Sequence, residues 1–204
     1  MSTARDLTLA IAGLTPVSVS GRYYRVTSKA RIKRAFEGSP AGGRWGPPNG
    51  FRVIYLGDSY DGVVIETHRH VTDTAEDPVA PPVSLGLITC DVEVTDIIDL
   101  TTATARFAVG LSDPAVLYSE PQNVEAGAAY RACQQIAQAA HQLGRHGILV
   151  PSATHHGNTL ALFADHLGAS ERPVPVGGVA TWEAMPADPR RLHIVRTIAV
   201  ETED

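Results

Sequence analysis

The chain has 204 residues, 44% hydrophobic and 19% charged, which is enough apolar material for one domain with its own core and too much for a disordered segment. A formal net charge of −5 excludes a general nucleic-acid binder working through a basic surface, so an anionic ligand would have to be met by local arginines. Two cysteines, Cys90 and Cys133, are too few for a disulfide framework and read as buried thiols; with no apolar stretch of membrane-spanning length and no signal-peptide layout in Met1–Asp6, the expected location is the cytoplasm.

Along the chain, Asp6 to Leu14 is predicted as a short helix stopped before Pro16. Arg22 to Val26 carries strand-forming residues, and Ser28 to Phe36 is basic and helix-tolerant. A loop follows, Gly42-Gly43-Arg44-Trp45-Gly46-Pro47-Pro48-Asn49-Gly50, with little side-chain bulk. It leads into Arg52 to Leu56, an apolar run bounded by turn residues and predicted as a buried strand. Asp58 and Ser59 are N-cap candidates for a helix over Tyr60 to Val71, which carries Glu66.

Ala75 to Pro82 reads as a polar, Pro-rich loop. Val83 to Val94 alternates like a strand, but the phase slips between Leu87 and Ile88. A bulge, or a strand covered on both faces, would explain that. Asp96 to Leu100 is expected to pair nearby. Val124 to Leu143 is the clearest helix: Ala129, Cys133, Ile136, Ala140 and Leu143 form an apolar stripe, and Gly144 suits its end. Short strands are predicted at Gly147 to Ser152, Thr159 to Phe163 and Leu192 to Val200. The pattern is α+β.

Four residues stand out chemically. Arg44, between glycines and Trp45, presents a planar fork suited to phosphate; the plainer alternative is a surface ion pair. Tyr55 is a core tyrosine or a residue that stacks on a flat ring. Glu66 beside Val63, Val64 and Ile65 is a solvent-facing helix residue or a carboxylate that stabilises an oxocarbenium-like centre. Ser152 lies near His155 and His156 without a Gly-x-Ser-x-Gly elbow, so hydrogen bonding to a ligand is expected rather than nucleophilic attack. The eight histidines form no metal motif, and neither a Rossmann fingerprint nor a P-loop is present; no metal is expected.

Tyr24-Arg25-Val26, Gly43-Arg44-Trp45, Val53-Ile54-Tyr55-Leu56, Glu66, Gly147 to Ser152, Gly157-Asn158 and Leu162-Phe163, in that order, resemble the RES-domain family of bacterial toxins. The resemblance implies one domain over 1–204, with a motif-bearing core at about 22–164 and C-terminal strands at about 170–204. It implies an ADP-ribosyltransferase-like fold with a split, mainly antiparallel sheet and surrounding helices. It also implies NAD as a substrate cleaved between nicotinamide and ribose by hydrolysis or phosphorolysis. No cofactor is implied, and inorganic phosphate is a candidate co-substrate.

Carried over, Arg25 and Arg44 would hold the diphosphate, Tyr24 and Tyr55 would position the nicotinamide end, and Glu66 would support the oxocarbenium-like ribose. Ser152 would bind the ligand or hold Glu66, with Trp45 and Asn158 completing the substrate-binding set. The implied partner is an antitoxin with a helix-turn-helix DNA-binding part; self-association is an option, and direct nucleic-acid or membrane binding is not expected. Alternative readings are a transferase that modifies a protein and a catalytically inactive binding module. Two positions depart from the family: Gly46 replaces the usual asparagine, and Gly62 stands in a helix start that is more often alanine-rich.

Overall fold

The computed structural model describes residues 4–71, 84–118 and 126–191. The elements are α1 (Ala4–Ala12), β1 (Val17–Ser28), a 3-10 turn (Lys29–Arg34), β2 (Val53–Gly57), α2 (Tyr60–Val71), β3 (Leu85–Asp99), α3 (Ala103–Ala108), α4 (Ala115–Tyr118), α5 (Ala126–Gln142), β4 (Gly147–Pro151) and β5 (Asn158–Phe163). Two short strands, β6 (Val174–Pro175) and β7 (Ala180–Trp182), follow. The α+β mixture expected from the sequence is present. The predicted loop at Ala75 to Pro82 and the predicted strand at Leu192 to Val200 lie outside the described residues.

One sheet joins these strands in the order β1-β2-β5-β4-β3-β6, with β7 also on β3 and with β1 closing back onto β3. β3 and β4 run parallel; the other pairs are antiparallel. β1 is longer than the expected Arg22–Val26 because it zips along β3, from Val17 opposite Ile97 to Ser28 opposite Leu85. Against β2 it registers only Tyr24 opposite Gly57 among the described residues. The sheet therefore parts between β1 and β2 on one side of that pair.

The phase slip in β3 comes from burial on both faces. Leu85, Gly86, Leu87 and Ile88 are all buried, and a Cβ at Gly86 would stand 2.8 Å from Val179 Cγ1 and 2.9 Å from Ile32 Cδ1. The bulge lies further on, at Asp96, which has a φ of 55° and shifts the register between Val17↔Ile97 and Val19↔Val94. The expected Asp96–Leu100 pairing is the end of this same strand against β4.

Two apolar layers hold the fold. One lies between α5 and the sheet and includes Trp45, Cys133, Ile136, Ala140, Ile148 and Phe163. The other joins the β1–β3 ribbon to β2–β5 through Tyr23, Ile54, Leu56, Cys90, Val92 and Leu160. The α5 stripe behaves as its period predicts: Cys133 and Ala140 are 0% exposed and Ile136 is 2% exposed. Burying a side chain such as Ile136 contributes about 1.5–3 kcal/mol. Gly144, at a φ of 74°, ends α5; Arg145 N–H donates to Ala140 O and Gly144 N–H to His141 O, a Schellman closure.

Candidate active site

A cleft of about 530 Å³ opens where β1 and β2 part. Its size suits a small molecule or nucleotide. Continued pairing would set Arg25 to Thr27 against β2, but Arg25, Val26, Thr27, Tyr55 and Leu56 line the cleft instead. Arg25 compensates for the lost ladder by donating Nη1–H to Tyr55 O at 2.7 Å. Burial pulls the Arg25 guanidinium below its ordinary pKa, with partial opposition from Cys90 and Tyr55.

The Gly-rich loop makes a tight turn with Arg44 and Trp45 at its tip. Gly43 N–H donates to Gly46 O at 2.9 Å, and Gln134 Nε2 of α5 donates to Gly43 O at 2.9 Å. Gly43 is required by packing, because a Cβ there would stand 2.7 Å from the Tyr55 hydroxyl. The departure at Gly46 has a similar cause, since a Cβ would meet Val53 Cγ2 at 2.8 Å. Trp45 is 1% exposed; it lines the cleft as part of its floor and anchors the turn in the core. The Trp45 backbone N–H donates to the Tyr55 hydroxyl at 3.0 Å. Burial drives the Tyr55 phenol well above its usual pKa, with the Trp45 N–H and Arg44 opposing, so Tyr55 keeps a proton to donate. The Arg44 guanidinium lies 4.7 Å from the Tyr130 ring centroid and donates Nη1–H to Val116 O at 2.7 Å.

α2 supplies the carboxylate. Ser59 caps it, accepting Gly62 N–H at 3.2 Å. Asp58, the other cap candidate, instead accepts Asn158 N–H at 2.6 Å and Nδ2–H at 2.8 Å, locking the start of β5 to the start of α2. Gly62 follows from that lock: a Cβ there would collide with His156 O, so the alanine usual in such a helix start does not fit. One turn on, Glu66 lines the cleft and accepts from His70 Nε2–H at 2.9 Å. Burial pushes the Glu66 carboxyl up, but the His70 hydrogen bond and the charges of His70, Arg69 and Arg44 outweigh it. The net pKa lies below the ordinary glutamate value.

Ser152 is buried at the end of β4 and lines the cleft. Its hydroxyl engages Thr154 Oγ1 at 2.8 Å and accepts Thr154 N–H at 3.2 Å, so it shapes the 152–158 loop rather than touching Glu66. Seven of the eight expected site residues thus share one cavity: Arg25, Arg44, Trp45, Tyr55, Glu66, Ser152 and Asn158. Tyr24 is outside the lining and packs edge-to-face on Tyr60, with centroids 6.0 Å apart.

The sequence reading missed Arg69, His70, Tyr130 and His156, which also line the cleft. Arg69 and His70 stand three and four residues beyond Glu66, a spacing that shares a helical face and was legible. Tyr130 and His156 carried no such signal. Both cysteines are buried, and burial pushes each thiol up to about 11. Among the described residues, no cluster of three or more His, Cys, Asp or Glu is placed to hold a metal, and no helix is long and apolar enough to cross a membrane.

Comparison with known proteins places this geometry in context. A protein-family model described as "RES domain" matches residues 22–186. The NAD(+) phosphorylase MbcT of Mycobacterium bovis is 36% identical over 134 residues, covering 64% of this chain and 66% of that protein. MbcT of Mycobacterium tuberculosis matches to the same extent. The match therefore spans just under two thirds of the length of these curated relatives. Among solved structures, the crystal structure of the M. tuberculosis MbcT–MbcA toxin–antitoxin complex contains a chain with a TM-score of 0.72 and 26% identity. That match covers 93% of this chain and 97% of the other.

Proposed function

The chain belongs to the RES-domain family, and from that premise we propose that it is a toxin that cleaves the nicotinamide–ribose bond of NAD, with water or inorganic phosphate as acceptor, until a cognate antitoxin covers the cleft. The names of its relatives support the reading: the curated ones are NAD(+) phosphorylases, and the solved neighbour is a toxin–antitoxin complex. The observation that carries it is Glu66 facing a cleft that also holds Arg25, Arg44 and Arg69. Three arginines against one carboxylate make a positive cleft in a chain of net charge −5, which focuses an anionic substrate into the site.

The residues fit the reaction. Arg25 and Arg44 hold the diphosphate, and Arg44 exchanges its Val116 carbonyl contact for phosphate oxygens. Tyr55, still protonated, orients the ribose–nicotinamide end. Glu66, held ionised, places negative charge beside the anomeric carbon as the C–N bond lengthens. Nicotinamide departs as a neutral molecule with the electron pair of that bond, so no strong general acid is needed. Binding and charge placement do most of the catalysis. The split between β1 and β2 corresponds to an ADP-ribosyltransferase-like sheet opened to receive the dinucleotide. The antitoxin is an adaptor whose helix-turn-helix part contacts DNA, and the toxin acts in the cytoplasm.

The test is incubation of the purified protein with NAD, with and without inorganic phosphate, while nicotinamide release and the mass of the second product are followed. Release that disappears in Glu66→Gln supports the reading. A folded, antitoxin-free protein that releases no nicotinamide rejects it.

A further inference from the structure

Arg44 is a long side chain at the tip of a turn, and such a side chain grips a ligand well only if something holds it in place. The peptide units on both sides of it are pinned. Gln134 Nε2–H donates to Gly43 O at 2.9 Å, and the Trp45 backbone N–H donates to the Tyr55 hydroxyl at 3.0 Å. The guanidinium carbon lies 4.7 Å from the Tyr130 ring centroid. Tyr130 and Gln134 stand four residues apart on α5 and so share one face of it. We infer that Tyr130 and Gln134 are positioning residues through which α5 presents Arg44 to the substrate diphosphate, Gln134 by fixing the turn and Tyr130 by holding the cation against its ring. The inference rests on the functional reading above and adds to its site two residues that no motif in the chain marks.

The chemistry of the contact accounts for the residue types. A carboxylate against Arg44 would neutralise its charge and take its N–H fork, the two properties that suit it to phosphate. An aromatic face attracts the cation through its quadrupole and takes up none of the in-plane N–H donors. Arg44 Nη1–H donates to Val116 O at 2.7 Å, a neutral acceptor that a charged phosphate oxygen out-competes. Through that exchange the ring keeps the guanidinium plane in place, so little side-chain freedom is lost on binding.

The helix behind these two side chains is a rigid frame. Cys133 and Ala137 are 0% exposed and pack in the same apolar layer as Trp45, the residue next to Arg44. Cys133 lies between Tyr130 and Gln134 on that face and senses the same cation: burial pushes its thiol up to about 11, and Arg44 opposes the rise. Tyr130 also lines the cleft, so its ring stands where Arg44 meets a ligand.

The experiment compares Tyr130→Leu, Tyr130→Phe and Gln134→Met in the full chain, each with and without Arg44→Ala. It reads nicotinamide release from NAD and, separately, calorimetric binding of ADP, which carries a diphosphate and no nicotinamide. Tyr130→Leu should raise the KM for NAD and the Kd for ADP about five- to thirtyfold while kcat stays within about threefold. Tyr130→Phe keeps the ring face and should restore both to within about threefold of wild type. Gln134→Met removes the donor at similar size and should weaken both about three- to tenfold; it carries the test if Tyr130→Leu does not fold. In the Arg44→Ala background each change should cost less than about twofold, because both residues act through Arg44. Unchanged KM and Kd in Tyr130→Leu and Gln134→Met, or losses that persist in full without Arg44, overturn the inference. If wild type cleaves NAD and the coupling to Arg44 is absent, the positioning role falls and the NAD reading stands. If wild type binds ADP with that coupling and releases no nicotinamide, the NAD reading falls and the positioning role stands; if it does neither, both fall.

Discussion

Replacing Glu66 by glutamine removes one negative charge and little else. The amide oxygen can still accept from His70 Nε2–H, and the side chain is 46% exposed, so no core packing is lost. An exposed i,i+4 pair of this kind contributes about 0.5 kcal/mol, which for a chain of this size predicts a fall in Tm of about 1–2 °C. The catalytic loss is far larger. A unit charge about 4 Å from a developing cationic centre is worth about 4 kcal/mol at an effective dielectric constant of about 20, and partial solvent access to the cleft lowers this to about 2–4 kcal/mol. At about 1.4 kcal/mol per decade, kcat should fall about 30- to 1000-fold. On the proposed reading the KM for NAD should change little, because Arg25 and Arg44 rather than Glu66 would hold the ground state. The assay is nicotinamide release under saturating NAD, with a melting curve on the same preparation. A variant retaining kcat within about threefold would remove Glu66 from the chemistry. A fall in Tm above about 5 °C would show that the residue is structural.

Arg44→Ala loses the Val116 carbonyl and Tyr130 contacts and, on the proposed reading, the diphosphate clamp, and should raise the KM for NAD about 10- to 100-fold; an unchanged KM would refute the clamp. Gly62→Ala gains about 0.5–1 kcal/mol in helix propensity but drives a Cβ into His156 O, so the net effect should be destabilisation by about 1–3 kcal/mol, and a raised Tm would contradict the packing. His141 is stacked between Phe51 and His166, with centroids 4.0 Å from each. Burial lowers its pKa below 6.5, and the neighbouring His166 adds to the effect. The unfolded chain therefore binds the proton more readily, and stability should be full above about pH 6.5 and decline as pH falls below it. His141→Gln should flatten that part of a Tm-versus-pH curve, whereas the lowered carboxylates Glu66, Glu171 and Asp188 should act only at lower pH.

Elements whose shape follows from local pattern were legible in the chain. The α5 stripe, the Gly144 stop, the Ser59 cap and the buried β2 run each satisfy a rule spanning fewer than about twenty residues. Glu66, Arg44, Tyr55 and Ser152 were legible as chemistry because their residue types sit beside apolar or glycine-rich text. The structure then brings them to one cavity. What the sequence did not reveal was which partner each group takes. Asp58 looked like a helix cap and instead holds Asn158, 100 residues away. Gly62 looked like a departure from an alanine-rich helix start and is a clearance for the 152–158 loop.

Sequence alone determined the α+β class, the main helices and strands, and most of a set of residues that the structure gathers around one cleft, because periodicity and side-chain chemistry are local properties. Tertiary structure decided that β1 leaves β2 after Tyr24, that Arg25 takes up the carbonyl this exposes, and that Arg69 and His70 join Glu66 on the cleft wall. Those outcomes depend on how strands distant in the chain compete for the same hydrogen bonds and the same buried space, and no local pattern encodes that competition.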